Sequence, residues 1–528
     1  MVRLKRKIIK PQPIKELKKR KFLEEYSKES LEKVVDIPPE SNLDKNISYV
    51  KDVMGNSSDL VVRNIIIGGH TNLKAALIYL DGLTDNVAID QYIMGALMIQ
   101  LNGKIPADLT TKPEPLIDWI KDSGLIINDV TPTESLKEII EAILVGDCAI
   151  LLDGSNKALL ANAKGWEKRS VDEPKTESVV RGPRDGFVET LRTNTALIRR
   201  RLKDPNIRVI SLKTGTRTKT DVAIMYIEGI MDEKIVKEAV RRIKAIEIDG
   251  VLESGYIEQY IEDNPLSPFP QIQNTERPDK VASHLLEGKL AIIVDGTPYV
   301  LIAPAIFSQF YHSPEDYYER FLIGSMIRVI RIISMSFALL LPSVYIAFSS
   351  FHPEMIPSKL MIAMAAGRST VPFPSIVEAF LMEITIEILR EASVRLPGPI
   401  GPTIGIVGGL VVGQAAVEAG IVSPIMVIVV SLTTIGSFAS PSYNSAISLR
   451  MLRFPIMVAA GLFGLYGIML ALILIFIHLC SLKPFGIPYL SSITPFRLRD
   501  MQDTLIRLPI PWMKKRPTPF HTQDKTRM

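Results

Sequence analysis

The C-terminal part of the chain is the most restrictive, because it holds apolar runs without formal charge that are as long as a bilayer is thick. Ile332–Phe351 is 20 residues of this kind, and Pro455–Cys480 is longer and more apolar still. A helix needs about 20 apolar residues to cross a hydrocarbon core of roughly 30 Å. Inside lipid the backbone must satisfy its own hydrogen bonds, so such runs are helical. Thr403–Ile421 and Pro424–Ser440 are two further candidates, giving four spans. Arg328 and Arg331 precede the first span, and nine Lys/Arg against three Asp follow the last. Positive charge stays on the cytoplasmic side, so both termini are expected there and an even number of crossings fits.

Between the first two spans lies Lys359–Arg395, which is neither apolar enough to cross nor polar enough to be a loop. In a helix, Glu383, Glu387 and Glu391 form an acidic stripe, with Arg390 in the same sector and Leu381, Ile384 and Ile388 outside it. One carboxylate in mid-membrane costs about 2.5–3.5 kcal/mol. Three facing lipid would cost roughly 8–10 kcal/mol, which excludes that placement. Two remain: an interfacial helix with its acids in water, or a re-entrant one that turns them to a water-filled vestibule.

The next segment carries glycine at 401, 405, 409 and 413, with Gly408 beside them. Repeated small-xxx-small spacing strips one helix face and lets another helix approach to backbone contact. This is either an intramembrane packing helix or the wall of a pathway within an oligomer. Val407, Val411 and Val412 are candidates for a hydrophobic constriction, with Gln414 and Glu418 as polar positions along it.

Upstream, the chain is an α/β unit with an internal duplication. LVGDCAILLDGSNKALLANA from Leu144 aligns with LEGKLAIIVDGTPYVLIAPA from Leu286, and AALIYLDGLTD from Ala75 with VAIMYIEGIMD from Val222. The offsets, 142 and 147 residues, keep the order. Each copy predicts a strand, a helix, and a hairpin turning at Asp-Gly. Glu233–Ile248 puts Ile235, Ala239, Ile243 and Ile246 on one helical face. The expected organisation is a basic flexible tail at 1–46, α/β subdomains at 47–165 and 185–320 joined by a linker at 166–184, a helical membrane domain at 321–482, and a basic cytoplasmic tail at 483–528. The fold class is therefore a duplicated α/β soluble half plus an all-α polytopic membrane domain.

Function classes are narrowed by what is missing. The Gly-rich spots lack the spacing of a phosphate loop or dinucleotide fingerprint, and no histidines stand at metal-ligand spacing, so neither enzyme, cofactor nor metal is expected. Cys148 and Cys480, far apart, suggest a reducing compartment rather than a disulfide framework. The opening has ten Lys/Arg against one Glu in 21 residues and no apolar core region, so no signal peptide is expected. Its charges could touch anionic lipid, but no nucleic-acid module accompanies them.

GPRDGF at 182–187, the continuous stretch 369–424, and ASPSYNSAISLRMLRFP at 439–455 together resemble the A subunits of GerA-type spore germinant receptors. The resemblance runs from about residue 47 to the end. It implies a protein of the spore inner membrane with a cytosolic domain of two subdomains. It implies two partners: a transporter-like B subunit that receives the nutrient, and a lipoprotein C subunit. It further implies a homo-oligomer acting as a nutrient-gated channel for monovalent cations, with the glycine-striped helix as the pore-lining candidate. A non-conducting scaffold subunit is the alternative.

Overall fold

The computed structural model describes residues 36–69, 73–106, 108–165, 173–394, 409, 411–491, 493–494, 496–497 and 500–527. Its soluble half contains two antiparallel five-stranded sheets. The first has β1 (Leu60–Ile66), β2 (Lys74–Leu80), β3 (Val130–Thr133), β4 (Cys148–Leu152) and β5 (Ala158–Ala161), in the order β1-β2-β4-β5-β3. The second has β6 (Ile207–Thr214), β7 (Thr220–Ile227), β8 (Gln273–Thr275), β9 (Leu290–Val294) and β10 (Val300–Ala303), in the order β6-β7-β9-β10-β8. The identical order is the duplication made structural. The Asp-Gly turns join β4 to β5 and β9 to β10, with Gly154 and Gly296 both at positive φ, where glycine meets no steric penalty.

The central strands CAILL and LAIIV are buried along their whole length, because helices cover both faces of each sheet. In the first subdomain α1 (Leu43–Met54) and α3 (Leu136–Val145) pack on one face, and α2 (Pro113–Trp119) with the helical segment 88–101 on the other. In the second, α5 (Glu233–Lys244) and α6 (Ser254–Ile261) oppose α4 (Leu191–Arg201) and α7 (Pro278–Leu286). Ile235, Ala239, Ile243 and Ile246 are buried, as their spacing requires.

Three segments expected from sequence to be tails or linker are built into this half. The Asn42 side chain caps α1, Leu136 N donates to Ile37 O at 3.0 Å, and Gly154 N donates to Ser41 O at 2.7 Å. Residues 36–46 thus belong to the first subdomain. Lys175 N donates to Glu276 at 2.7 Å and Arg277 donates to Glu177 O at 3.0 Å, which lays residues 173–184 along the second subdomain. The C-terminal region folds back as well, with Phe485 and Phe520 in the core formed by α5 and α6. The two subdomains meet where Arg199 of α4 grips Asp59 beside β1, both side chains 2% exposed.

After a short α8 (Glu315–Tyr318) the chain enters α9 (Phe321–Ser350), α10 (Ser358–Arg368), α11 (Ser375–Val394), α12 (Pro424–Phe438) and α13 (Tyr443–Ser481). The far end of α9 bonds the start of α11 through Ser349 and Ser375, 2.9 Å apart. From there α11 returns, and Arg390 near its end reaches Ser437 at the end of α12. Gly436 of α12 lies against the backbone of Ser334 in α9, where an added Cβ would sit 2.5 Å from the carbonyl oxygen.

The longest element is not one rod. Gly464 has φ 59° and ψ −138°, and α13 folds back there. Leu452 and Leu479 join one apolar cluster, although a straight helix would hold them about 40 Å apart. The fold point rests on Phe351 and His352, and the returning leg ends on the α/β half beside Phe269 and Tyr489. Two helices, Phe321–Ser350 and Tyr443–Ser481, are long and apolar enough to cross a membrane.

Candidate functional site

The acidic stripe lies on α11, where its first member, Glu383, faces neither bulk water nor a vestibule. Leu381, Ile384 and Ile388 are exposed on one side of the helix, while Glu378 and Glu383 are fully buried on the other. Glu383 accepts from Arg453 of α13, whose Nε also donates to Ala338 O of α9 at 2.7 Å. One guanidinium therefore ties three helices together at a carboxylate shielded from water. Glu387 accepts from Arg390 and from Arg450, each at 3.0 Å. Arg390 continues to the Ser437 hydroxyl at 3.1 Å and lies over the Phe438 ring. A cavity of about 500 Å³ opens beside Glu387, Glu391, Arg450 and Tyr443, so only the last two acids of the stripe have a polar space next to them.

The correction has a simple electrostatic reason. A buried carboxylate is tolerated when an arginine fork meets it and desolvates with it. The partners were present in the sequence as Arg450 and Arg453, three residues apart and so on one helix face, complementary to Glu383 and Glu387 four apart. Pairing these two spacings would have identified the contact. Glu378, which sequence reasoning did not single out, is also buried: it lies 3.8 Å from Arg368 and accepts from Ser423 N at the start of α12.

Of the glycine-striped segment, Gly401, Gly405, Val407 and Gly408 lie outside the described residues. The remainder is helical at 411–418. Gly409 looks towards Ile386 of α11, and a Cβ on Gly413 would come within 3.2 Å of Val427 of α12. At these two positions the bare edge packs against helices of its own chain. The opposite face carries Val411, Gln414 and Glu418, all exposed, and Val412 stands half-buried beside it. Gln414 Nε2 donates to Glu418 at 2.9 Å. That face combines a valine, an amide and a carboxylate, a composition unsuited to lipid.

The helical half is joined to the α/β half by a second charged cluster at the foot of α9. Arg328 donates to Asp316 at 3.1 Å and to Asp503 O at 2.8 Å, and Arg331 donates to Asp316 at 3.0 Å and Tyr311 O at 2.8 Å. Burial pushes the Asp503 carboxyl above its ordinary range, against the pull of Arg328. These arginines, which sequence reasoning used only as charge markers, fix the start of α9, Arg328 to the returning C-terminal segment and Arg331 to the residues just before the helix.

With this geometry in hand, comparison with known proteins decides the family. The model described as "Bacillus/Clostridium GerA spore germination protein" matches residues 48–519. The chain belongs to the GerA family. It is 47% identical over 488 residues to spore germination protein KA of Bacillus subtilis, covering 92% of this chain and 88% of that protein. It is 43% identical to spore germination protein GerLA of Bacillus cereus, covering 92% and 97%. Spore germination protein A1 of Bacillus subtilis is 48% identical over 382 residues, covering 72% and 79%. Among solved structures, the N-terminal domain of the A subunit of the Bacillus megaterium germinant receptor GerK3 aligns with a TM-score of 0.40 and 38% identity, covering 52% of this chain and 98% of that one.

Proposed function

We propose that this GerA-family chain is the membrane subunit of a nutrient germinant receptor, and that several copies form a nutrient-gated cation channel around the face bearing Val411, Gln414 and Glu418. The observation that carries this reading is the polarity of that face. An amide and a carboxylate turned outward from a helix whose inner edge is already packed need water or another copy beside them. Val411 would close the path by dewetting, and Glu418 would favour cations.

In this reading the protein is a multi-pass membrane protein of the spore inner membrane, with both termini on the core side. The return of the C-terminal region to the second subdomain supports a common side for the two. A transporter-like B subunit receives the nutrient and a lipoprotein C subunit completes the complex. The chain itself carries out no catalysis. Germinant binding would shift the bundle between two packings, with the Glu383–Arg453 pair holding one of them.

A non-conducting scaffold is favoured by a different observation: Gly409 and Gly413 are packed within the chain and do not call for sister copies. Potassium efflux from liposomes holding the purified protein, paired with its oligomer mass in the same detergent, separates the two. A ring that conducts once activated supports the channel. A monomer or a single-copy partner complex without flux supports the scaffold.

A further inference from the structure

The C-terminal segment leaves a surface whose chemistry suits neither water nor protein interior. Along 504–516 the chain repeatedly turns in and out. Thr504, Arg507, Met513 and Arg516 are buried, while Leu505, Ile506, Ile510, Trp512, Lys514 and Lys515 are exposed. The buried members are anchored. Arg507 N and O pair with the Ser325 hydroxyl of α9 at 3.2 and 3.0 Å, and Arg516 Nε donates to Leu286 O at 2.7 Å. The outward side chains are therefore held in place, with Trp512 68% exposed.

Position identifies what covers them. Ser325 stands one turn into α9, where Leu322, Ile323 and Met326 are exposed on the helix that is apolar enough to cross a membrane, and exposed Arg320 immediately precedes them. The hydrogen bonds between Arg507 and Ser325 put Leu505 and Ile506 at that same level. The apolar patch is thus continuous with the outward face of α9, and two exposed lysines follow it. Tryptophan at the border of an apolar band, next to basic side chains, is the composition of a membrane–water interface. Lysines there are attracted to anionic headgroups.

We propose that residues 505–515 form an interfacial anchor, with Leu505, Ile506, Ile510 and Trp512 seated at the headgroup–acyl boundary and Lys514 and Lys515 on anionic phospholipid. Because Arg507 within the segment holds Ser325 of α9, while Asp503 just before it holds Arg328 and Arg516 just after it is fastened to the second subdomain, the anchor sets the height of the cytosolic half against the bilayer.

The test uses the full chain in vesicles of phosphatidylcholine and phosphatidylglycerol, with Trp119→Phe and Trp166→Phe leaving Trp512 as the single fluorophore. Lipids brominated near the headgroup end of the acyl chain are expected to quench its emission, with little quenching by aqueous iodide, as for an interfacial side chain. Lys514→Glu with Lys515→Glu should weaken the lipid quenching, more so in vesicles rich in phosphatidylglycerol. Quenching by iodide but not by brominated lipid would place the patch in water and overturn the proposal. Quenching by neither would mean that a protein, a second copy included, covers it, and would overturn it equally. Should the single-tryptophan chain not fold, the difference in quenching between the unsubstituted chain and Trp512→Phe reads the same quantity.

Discussion

Arg453 on the outgoing leg of α13 and Glu383 on α11 meet as a fully buried ion pair, with the same guanidinium donating to a carbonyl of α9. Removing one partner leaves the other charged and unpaired where water cannot compensate. Arg453→Leu is expected to destabilise the helical half by about 3–5 kcal/mol. Glu383→Gln with Arg453→Met, which removes both charges, should recover most of that loss. Thermal unfolding in detergent, followed by the helical circular dichroism signal, checks both variants. If the single and double replacements melt alike, the pair does not hold the bundle together.

A second buried pair joins the two α/β subdomains. Arg199 Nε and Nη2 donate to the two oxygens of Asp59 at 2.7 and 2.9 Å, and Nη2 also reaches the Ser57 hydroxyl. Asp59→Ala is expected to cost about 3–5 kcal/mol and to separate the sheets. Limited trypsin digestion should then release the first subdomain intact, whereas an unchanged digestion pattern would show that the apolar contacts suffice without the pair.

Gly464 occupies a backbone region essentially reserved for glycine. Replacing it with Ala should cost about 1–3 kcal/mol and disfavour the fold-back that returns 465–481 to the α/β half. Distance measurement between spin labels at Leu452→Cys and Leu479→Cys, with Cys480 replaced by Ser, reads the consequence. The labels should be close in the parent chain and spread over a wider, longer distribution in Gly464→Ala.

Glu258 on α6 has its carboxyl pushed up to about 8 by burial, reinforced by the negative charges of Glu262 and Glu253. The folded chain therefore keeps a proton that the unfolded chain releases near pH 4.3. This contribution to stability is complete below that value and is lost as pH rises towards about 8. Glu258→Gln should flatten the fall in melting temperature across that window. The side chain is only half-buried, so the gain at the upper end is expected to be on the order of 1 kcal/mol. Parallel pH profiles for the parent and the variant would contradict it.

Legibility varied with the physics. The paired strings at 144 and 286 gave the hairpins, because Asp-Gly between apolar runs has one favoured backbone path. They did not reveal β1 and β6, the long edge strands, whose partial exposure breaks a clear apolar signature. Nor did they reveal β3 and β8, too short to carry any pattern. In the helical half, Pro455–Cys480 read as one span, because a glycine that folds a helix back looks the same in sequence as one that packs it. The acidic stripe was legible as a stripe, yet its burial depended on Arg450 and Arg453 some 63 to 70 residues away. The valines, Gln414 and Glu418 were legible as positions along one helix, but the contacts of Gly409 and Gly413 with Ile386 and Val427 depend on α11 and α12 and carry no local signal.

The proposed channel rests on Val411 facing an axis shared by sister copies. The most direct measurement places one accessible cysteine there, Val411→Cys with Cys480→Ser and Cys148 left buried in β4, and oxidises the protein in its native membrane. Disulfide-linked dimers formed without detergent are the predicted result, since residues lining a narrow axis approach one another across or around it. A chain that stays monomeric under oxidation, while its cysteine reacts with a lipid-soluble maleimide, would put Val411 against hydrocarbon and contradict the account.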